Sequence, residues 1–125
     1  MTLAFWCLFA GGLLPVAISF IAKADPALDI SNPRDVHLTQ TGLRKRAYGA
    51  HLNGLEAFPL FAIAVITATL RGVPQLWLDT AACSWLVVRV LYTAVYLADL
   101  ARIRPPLWLL GVLISAGIFL LPMLR

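Results

Sequence analysis

Four long apolar stretches, separated by short polar segments, dominate the hydrophobic pattern of the chain. The first 22 residues carry no charged side chain, and apolar character returns after residue 46 and continues to the end with two short polar interruptions. A helix that crosses a bilayer needs about 20 mostly apolar residues. The pattern therefore predicts one all-α domain, residues 1–125, with four membrane-spanning helices. We expect these helices at about 3–22, 46–70, 75–100 and 106–124, with a long polar loop at 23–45.

The first apolar stretch has an alternative interpretation as a secretory signal peptide. Ala22-Lys23-Ala24 has the small-x-small pattern of a cleavage site. Signal peptides, however, begin with a positively charged segment and have an apolar region of about 7–15 residues. No Lys or Arg precedes the apolar run here, and the run is longer. The stretch is therefore predicted to be a retained membrane helix.

Composition supports the membrane prediction and excludes other classes. Hydrophobic residues make up 61% of the chain and charged residues only 13%, against about 25% charged residues in soluble domains. A soluble fold of this size leaves too much of its surface exposed to hide so many apolar side chains. The composition thus argues against a water-soluble domain, a nucleic-acid-binding protein and a disordered chain.

The basic residues predict the orientation in the membrane. Seven Lys and Arg residues lie in or beside the first and third loops, whereas the opposite side has only Arg71 and Arg125. Short loops that stay in the cytosol carry an excess of Lys and Arg. The first and third loops are therefore predicted to be cytosolic, with both termini on the other side.

Two ionisable residues lie deep inside the predicted spans. Glu56 is ten residues beyond Arg46, and Arg89 is eleven residues before Leu100, so both lie roughly 15 Å from the cytosolic ends of their helices. Ionisable groups at the centre of a bilayer cost about 2.5–3.5 kcal/mol each on insertion scales. Opposite charges at matched depth are therefore predicted to be partners.

Other polar residues share the faces of these two charges. Asn53 and Glu56 have the spacing i, i+3, and Arg89, Tyr92 and Tyr96 follow i, i+3, i+7, so each set lies on one side of its helix. The two sets predict a polar cleft in the cytosolic half of the bundle. Its mixture of charges, amide and phenols suits a small ligand with amine and carboxylate ends.

A purely structural role for these groups is the competing interpretation. Polar side chains between membrane helices stabilise their association by about 0.6 kcal/mol on average, and a lone histidine such as His51 is more often a structural hydrogen-bonding group than a base. Cys7 and Cys83 lie inside apolar stretches and are interpreted as small core residues without a redox role. No metal-binding spacing or hydrolase triad is visible.

Two segments resemble the MAPEG family, the membrane-associated proteins in eicosanoid and glutathione metabolism. The run 46–61, RAYGAHLNGLEAFPLF, is similar to the family's helix-2 signature, and its specific part is Asn-x-x-Glu followed by Phe-Pro-Leu-Phe. The stripe Arg89…Tyr92…Tyr96 resembles the family's helix-3 pattern. The basic loop 102–104 falls where the family has its helix-4 arginine. Bacterial members have a loop-1 element like Asn32-Pro33-Arg34.

The resemblance implies a fold, an activity and a set of site residues. The fold is a homotrimer of four-helix subunits, with glutathione as co-substrate between adjacent subunits in the cytosolic half. Asn53 and Glu56 are expected to hold the γ-glutamyl end of glutathione. The same pocket is expected to be lined by Arg89, Tyr92 and Tyr96, with Arg46 and His51 as further binding residues.

A guanidinium at the entrance of the fourth helix is expected to stabilise the glutathione thiolate. Arg104 or Arg102 supplies it, because aligning this loop with the family requires a slip of one residue. The thiolate is the nucleophilic form of a thiol, and arginine keeps its charge in proteins. The resemblance implies a glutathione transferase that acts on lipophilic electrophiles reaching it from the bilayer, with glutathione-dependent peroxidase activity as an additional activity. Similarity to bacterial members indicates the inner membrane of a bacterium.

Two positions depart from the family pattern. Gly49 stands where many eicosanoid-pathway members have an arginine, which Arg46 would replace, and Trp108 stands where a tyrosine is common. These departures leave a non-catalytic family member as an alternative. A small proton-coupled multidrug exporter is another, although such exporters carry their acidic residue in the first helix, where this chain has none.

Overall fold

The computed structural model describes residues 1–124. They contain five α-helices and a final 3₁₀ turn, joined by loops. The helices are α1 (Leu3–Lys23), α2 (Pro33–Thr39), α3 (Gly42–Leu70), α4 (Gln75–Leu97) and α5 (Arg104–Leu120), and the 3₁₀ turn is Leu121–Leu124. The described residues contain no β-strand. Four segments are long and apolar enough to span a membrane, namely α1, α3, α4 and α5 together with the 3₁₀ turn, which confirms the predicted all-α membrane fold. Arg125, counted above among the charges, lies outside the described residues.

The lengths of the long helices match the thickness of a bilayer. The 21 residues of α1 extend over about 31 Å, close to the hydrocarbon thickness of about 30 Å. The 29 residues of α3 reach about 43 Å, so this helix continues beyond the hydrocarbon. It begins at Gly42, four residues before the predicted start, because hydropathy does not detect the charged turn that precedes the apolar part. For the same reason α5 begins at Arg104 and not at 106.

The end of α4 is set by a turn that hydropathy does not detect. The prediction extended this helix to residue 100, but it ends at Leu97. Asp99 adopts a left-handed conformation with a φ of 62°. Its N–H donates to the carbonyl of Tyr96 at 3.2 Å, and the N–H of Leu100 donates to that of Val95 at 2.9 Å. These two bonds form a Schellman motif, which satisfies the last carbonyls of the helix and reverses the chain.

The predicted loop 23–45 contains the short helix α2. Pro33 occupies its first turn together with Asp35, and both residue types favour a helix start. His37 is the buried residue of α2; its ring stacks on Tyr48 with the centroids 4.4 Å apart. A polar helix of seven residues leaves no apolar periodicity by which it could be recognised.

A set of polar contacts fastens this loop to the bundle. The Nε2 of Gln40 donates to the carbonyl of Ala22 at 2.9 Å and to Asp25 Oδ2 at 2.8 Å. The other oxygen of Asp25 accepts the N–H of Ala27 at 2.9 Å and lies 3.9 Å from Arg44. The N–H of Ala27 and then the Gln40 amide lower the pKa of Asp25. We call this end of the bundle, which carries residues 24–41 and 98–103, the loop-1 end.

The helices pack with α3 and α4 at the centre. These two contact each other, and both also contact α1 and α5. Phe61 of α3 stacks flat on Trp85 of α4, with ring centroids 3.8 Å apart. Gly11 of α1 brings that helix against the same indole, because a Cβ at this position would lie only 2.8 Å from Trp85 Cζ3. Most of the outward side chains are apolar and exposed, as a bilayer requires.

Candidate functional site

A cleft opens at the loop-1 end between α3, α4 and α5. Its volume is about 570 Å³. Five of the predicted site residues, contributed by all three helices, lie in its wall together with apolar neighbours. The lining residues are Gly49, Leu52, Asn53, Glu56, Tyr92, Tyr96, Ala101, Arg104, Pro105 and Trp108.

Arg89, predicted to line the cleft, is buried beside it and lines an adjoining cavity instead. Its Nη2 donates to Asn53 Oδ1 at 2.9 Å, and its Cζ lies 4.4 Å from the centre of the Tyr92 ring. The predicted ion pair with Glu56 is wrong: within residues 1–124 the charged groups that approach within 4.0 Å are Arg44 and Asp25. Asn53 shares the face of Glu56 on α3, and its amide takes the position beside the guanidinium.

The carboxylate of Glu56 has no such partner among residues 1–124. Within the described residues, no group donates a hydrogen bond to it, and its side chain is exposed to the cleft. A charged group at this depth is costly unless it is paired or faces water. The geometry therefore leaves an acid that is free to accept a cationic group from a ligand.

Two tyrosines of α4 and a second guanidinium, from α5, line the same cleft as this acid. The rings of Tyr92 and Tyr96 meet edge to face with centroids 5.9 Å apart. Arg104, at the start of α5, places its Cζ 4.2 Å from the centre of the Tyr96 ring. Arg104 thus covers one side of the cleft with a positive charge that contacts an aromatic face, an arrangement that favours both groups.

Gly49 is a site residue that the sequence did not reveal. The Tyr96 hydroxyl touches the position where a Cβ of residue 49 would be, and the ring carbon Cζ would lie 2.9 Å from it. The missing side chain therefore makes room for Tyr96. In the sequence Gly49 stands out only as a departure from the family pattern. Its position one helical turn before Asn53 could have placed it on the same face of α3 as the site.

An apolar cavity of about 300 Å³ adjoins the cleft further into the bundle. It shares Glu56 and Trp108 with the cleft. The remaining wall comes from α3, α4 and α5 and consists of Ala57, Leu60, Trp85, Arg89, Gly111, Val112 and Ser115. This cavity could not be predicted from the sequence, because it depends on how the face of α5 is rotated toward α4. The two spaces together place a charged surface beside an apolar one.

Three predicted site residues lie outside the lining of the cleft. The Nε of Arg46 donates to the carbonyl of Leu97 at 3.0 Å, where it stabilises the C-terminal end of α4. The Nδ1 of His51 lies 2.7 Å from the carbonyl of Pro15 and joins α3 to α1. Arg102 is exposed in the turn before α5 and lies outside the lining of the cleft.

Comparison with known proteins assigns the family. The chain matches no curated protein and no solved structure. The family model that matches it is that of the MAPEG family, over residues 3–124. This match covers nearly the whole sequence and includes every residue of the cleft. The chain therefore belongs to the MAPEG family.

Proposed function

We propose that this protein is a membrane-bound glutathione transferase that binds glutathione in the cleft at the loop-1 end. The MAPEG family, which includes glutathione transferases, is the background to the proposal. The observation that carries it is the unpartnered carboxylate of Glu56 in a cleft that otherwise offers hydrogen-bond donors. Glutathione has a complementary pattern, with one ammonium, two carboxylates and a thiol.

The γ-glutamyl end of glutathione fits the α3 side of the cleft. Its ammonium pairs with the Glu56 carboxylate, which removes the cost of an isolated charge at this depth. Asn53 supports the same end. Because the Asn53 Oδ1 already accepts a bond from Arg89, the amide NH₂ is left to donate to a ligand carboxylate. Arg89 is therefore a positioning residue for that amide.

The thiol is then directed toward α5, where Arg104 supplies the positive charge. A fixed guanidinium favours the ionised form of a nearby thiol and so lowers the thiol's pKa. The thiol proton passes to water in the cleft, and the thiolate attacks a lipophilic electrophile. The adjoining apolar cavity is the part of the site that suits such a substrate. A thiolate in the same position would also attack the oxygen of a lipid hydroperoxide.

Glutathione thiolate absorbs ultraviolet light that the neutral thiol does not, so the proposal can be tested directly. Wild-type protein saturated with glutathione is expected to show this absorbance at neutral pH. In Arg104→Ala the absorbance should require a pH higher by about 1–3 units, the usual effect of an opposite charge nearby. Arg102→Ala is the matched control, because it removes the same charge two residues away and outside the cleft. Saturable binding without thiolate absorbance would instead indicate a non-catalytic family member.

The assembly and topology that we propose follow the family. A homotrimer with glutathione between adjacent subunits would cover the face on which Glu56 is exposed. Native mass spectrometry of the detergent-solubilised protein tests the trimer. We also propose that the loop-1 end faces the cytosol of a bacterial cell. A reporter fused to the C-terminus should then be active outside the inner membrane, and cytosolic activity alone would contradict this orientation.

A further inference from the structure

The end of the bundle opposite the cleft brings two thiols together. Cys7 of α1 and Cys83 of α4 are 76 positions apart in the chain, yet their Sγ atoms lie 3.5 Å from each other. Both are free cysteines. The sequence predicted two small core residues without a redox role; in the structure they are direct neighbours across the interface between α1 and α4.

The interface holds the pair in place from both sides. One turn toward the N-terminus, the backbone N–H of Ala4 donates to Asp79 Oδ1 at 2.7 Å. One turn in the other direction, Gly11 packs against the Trp85 indole, with no room for a side chain. These two contacts fix α1 against α4 on either side of the cysteines. The two sulfur atoms are therefore held next to each other in the folded protein.

The two sulfur atoms differ in access. Cys7 is buried, with 3% of its surface exposed. Cys83 is half-buried and borders a surface groove of about 710 Å³ lined mainly by leucine, valine and isoleucine side chains, among them Leu76 and Val87. An apolar reagent that enters this groove from the bilayer reaches Cys83 first. Cys7 lies directly behind it.

We propose that Cys7 and Cys83 form a reversible redox site that lipid hydroperoxides oxidise to a disulfide. In the first step the Cys83 sulfur attacks the terminal peroxide oxygen; an S–O bond forms, the O–O bond breaks, and the thiol proton leaves with the alcohol. In the second step the Cys7 sulfur attacks the Cys83 sulfenic acid; the S–S bond forms and water leaves with the second proton. The peroxide is reduced by two electrons and the two thiols are oxidised.

The consequence is a covalent link between α1 and α4. Such a link restricts the unfolded chain, and its effect grows with the length of the loop that it closes. Oxidised protein should therefore unfold at a higher temperature than reduced protein, and a thiol reductant should reverse the shift. This redox site is independent of glutathione binding, because its residues lie at the other end of α4.

The test uses purified wild type, Cys7→Ala and Cys83→Ala in detergent micelles, treated with cumene hydroperoxide. We expect wild type to lose both alkylatable thiols, to regain them with dithiothreitol, and to yield a linked Cys7–Cys83 peptide in mass spectrometry. In Cys7→Ala the sulfenic acid on Cys83 has no partner and should react with dimedone. In Cys83→Ala the buried Cys7 should escape oxidation and remain alkylatable once the protein is denatured.

The peptide map of the wild type decides the question even where a variant fails to fold. If wild type treated with the hydroperoxide keeps both thiols and yields no linked Cys7–Cys83 peptide, the thiols are not redox partners and the proposal fails. It also fails if the disulfide forms only between chains, as a reductant-sensitive dimer on a gel would show.

Discussion

Replacing Gly49 by alanine tests the geometry of the cleft through a single methyl group. The new Cβ would touch the Tyr96 hydroxyl and lie 2.9 Å from Tyr96 Cζ. Carbon atoms that are not bonded prefer about 3.5–4.0 Å, so the end of the phenol must move by roughly 0.6–1.1 Å. Tyr96 is only half-buried and can move. Alanine also favours the helix by about 0.5–1 kcal/mol. We therefore expect little change in the free energy of unfolding.

This displacement disturbs the contact between the Tyr96 ring and the guanidinium of Arg104, which is 4.2 Å from the ring centre in the wild type. A contact of this kind is worth about 0.5–1 kcal/mol at an exposed site. Losing part or all of it should weaken glutathione binding by up to about fivefold. Gly117→Ala serves as the control, because a Cβ at Gly117 meets no atom within 4 Å. It should bind glutathione as the wild type does.

A double-mutant cycle separates this cause from a general loss of structure. Isothermal titration calorimetry gives the dissociation constant of glutathione for wild type, Gly49→Ala, Tyr96→Phe and the double variant. Tyr96→Phe removes the hydroxyl that the new methyl would touch, so Gly49→Ala should cost less in that background than in the wild type. Simple addition of the two effects, or unchanged binding by Gly49→Ala, would refute the steric reasoning.

Three further predictions concern stability, measured by equilibrium unfolding in mixed detergent micelles. Gly11→Ala should lower the free energy of unfolding by about 1–3 kcal/mol, because a Cβ meets a buried ring that cannot retreat, whereas Gly117→Ala should not lower it. Asp99→Gly should raise stability by up to about 1 kcal/mol, since glycine adopts the left-handed conformation of this residue without a steric cost; a decrease would contradict the role of the turn. Asp25 has a lowered pKa because its carboxylate accepts the N–H of Ala27 and further bonds. Its contribution to the free energy of unfolding is therefore fully present above the pKa of an unfolded aspartate. That contribution is lost as the pH falls through the lower pKa of Asp25 in the folded protein. Asp25→Asn should reduce this acid dependence, and an unchanged pH profile would show that the contacts of Asp25 do not stabilise the fold.

The membrane-spanning architecture could be predicted because the bilayer imposes strict demands on sequence. Four apolar stretches of sufficient length gave the four long helices, and spacing along one helix gave the stripe Arg89, Tyr92 and Tyr96. The ends of helices depend instead on local backbone choices. The left-handed Asp99 and the short polar helix α2 left no trace in the hydropathy pattern.

Contacts between helices were less predictable, for a geometric reason. Matched depth placed Glu56 beside Arg89, but depth does not fix how far each helix is rotated about its axis. In the structure Asn53 contacts the guanidinium, and Glu56 faces the cleft. The same limitation concealed the meeting of Cys7 and Cys83, because nothing in either segment indicates which face of α1 turns toward α4.

Glutathione binding to the purified protein in detergent is the most direct test of the central claim, that Glu56 is the cation acceptor of the site. Calorimetry should show saturable binding by the wild type. Glu56→Gln should bind about 10- to 150-fold more weakly, since a hydrogen bond to a charged group is worth about 1.5–3 kcal/mol. Asp35→Asn, which neutralises an exposed acid in α2, should bind like the wild type. Absent binding by the wild type, or unchanged binding by Glu56→Gln, would contradict the claim.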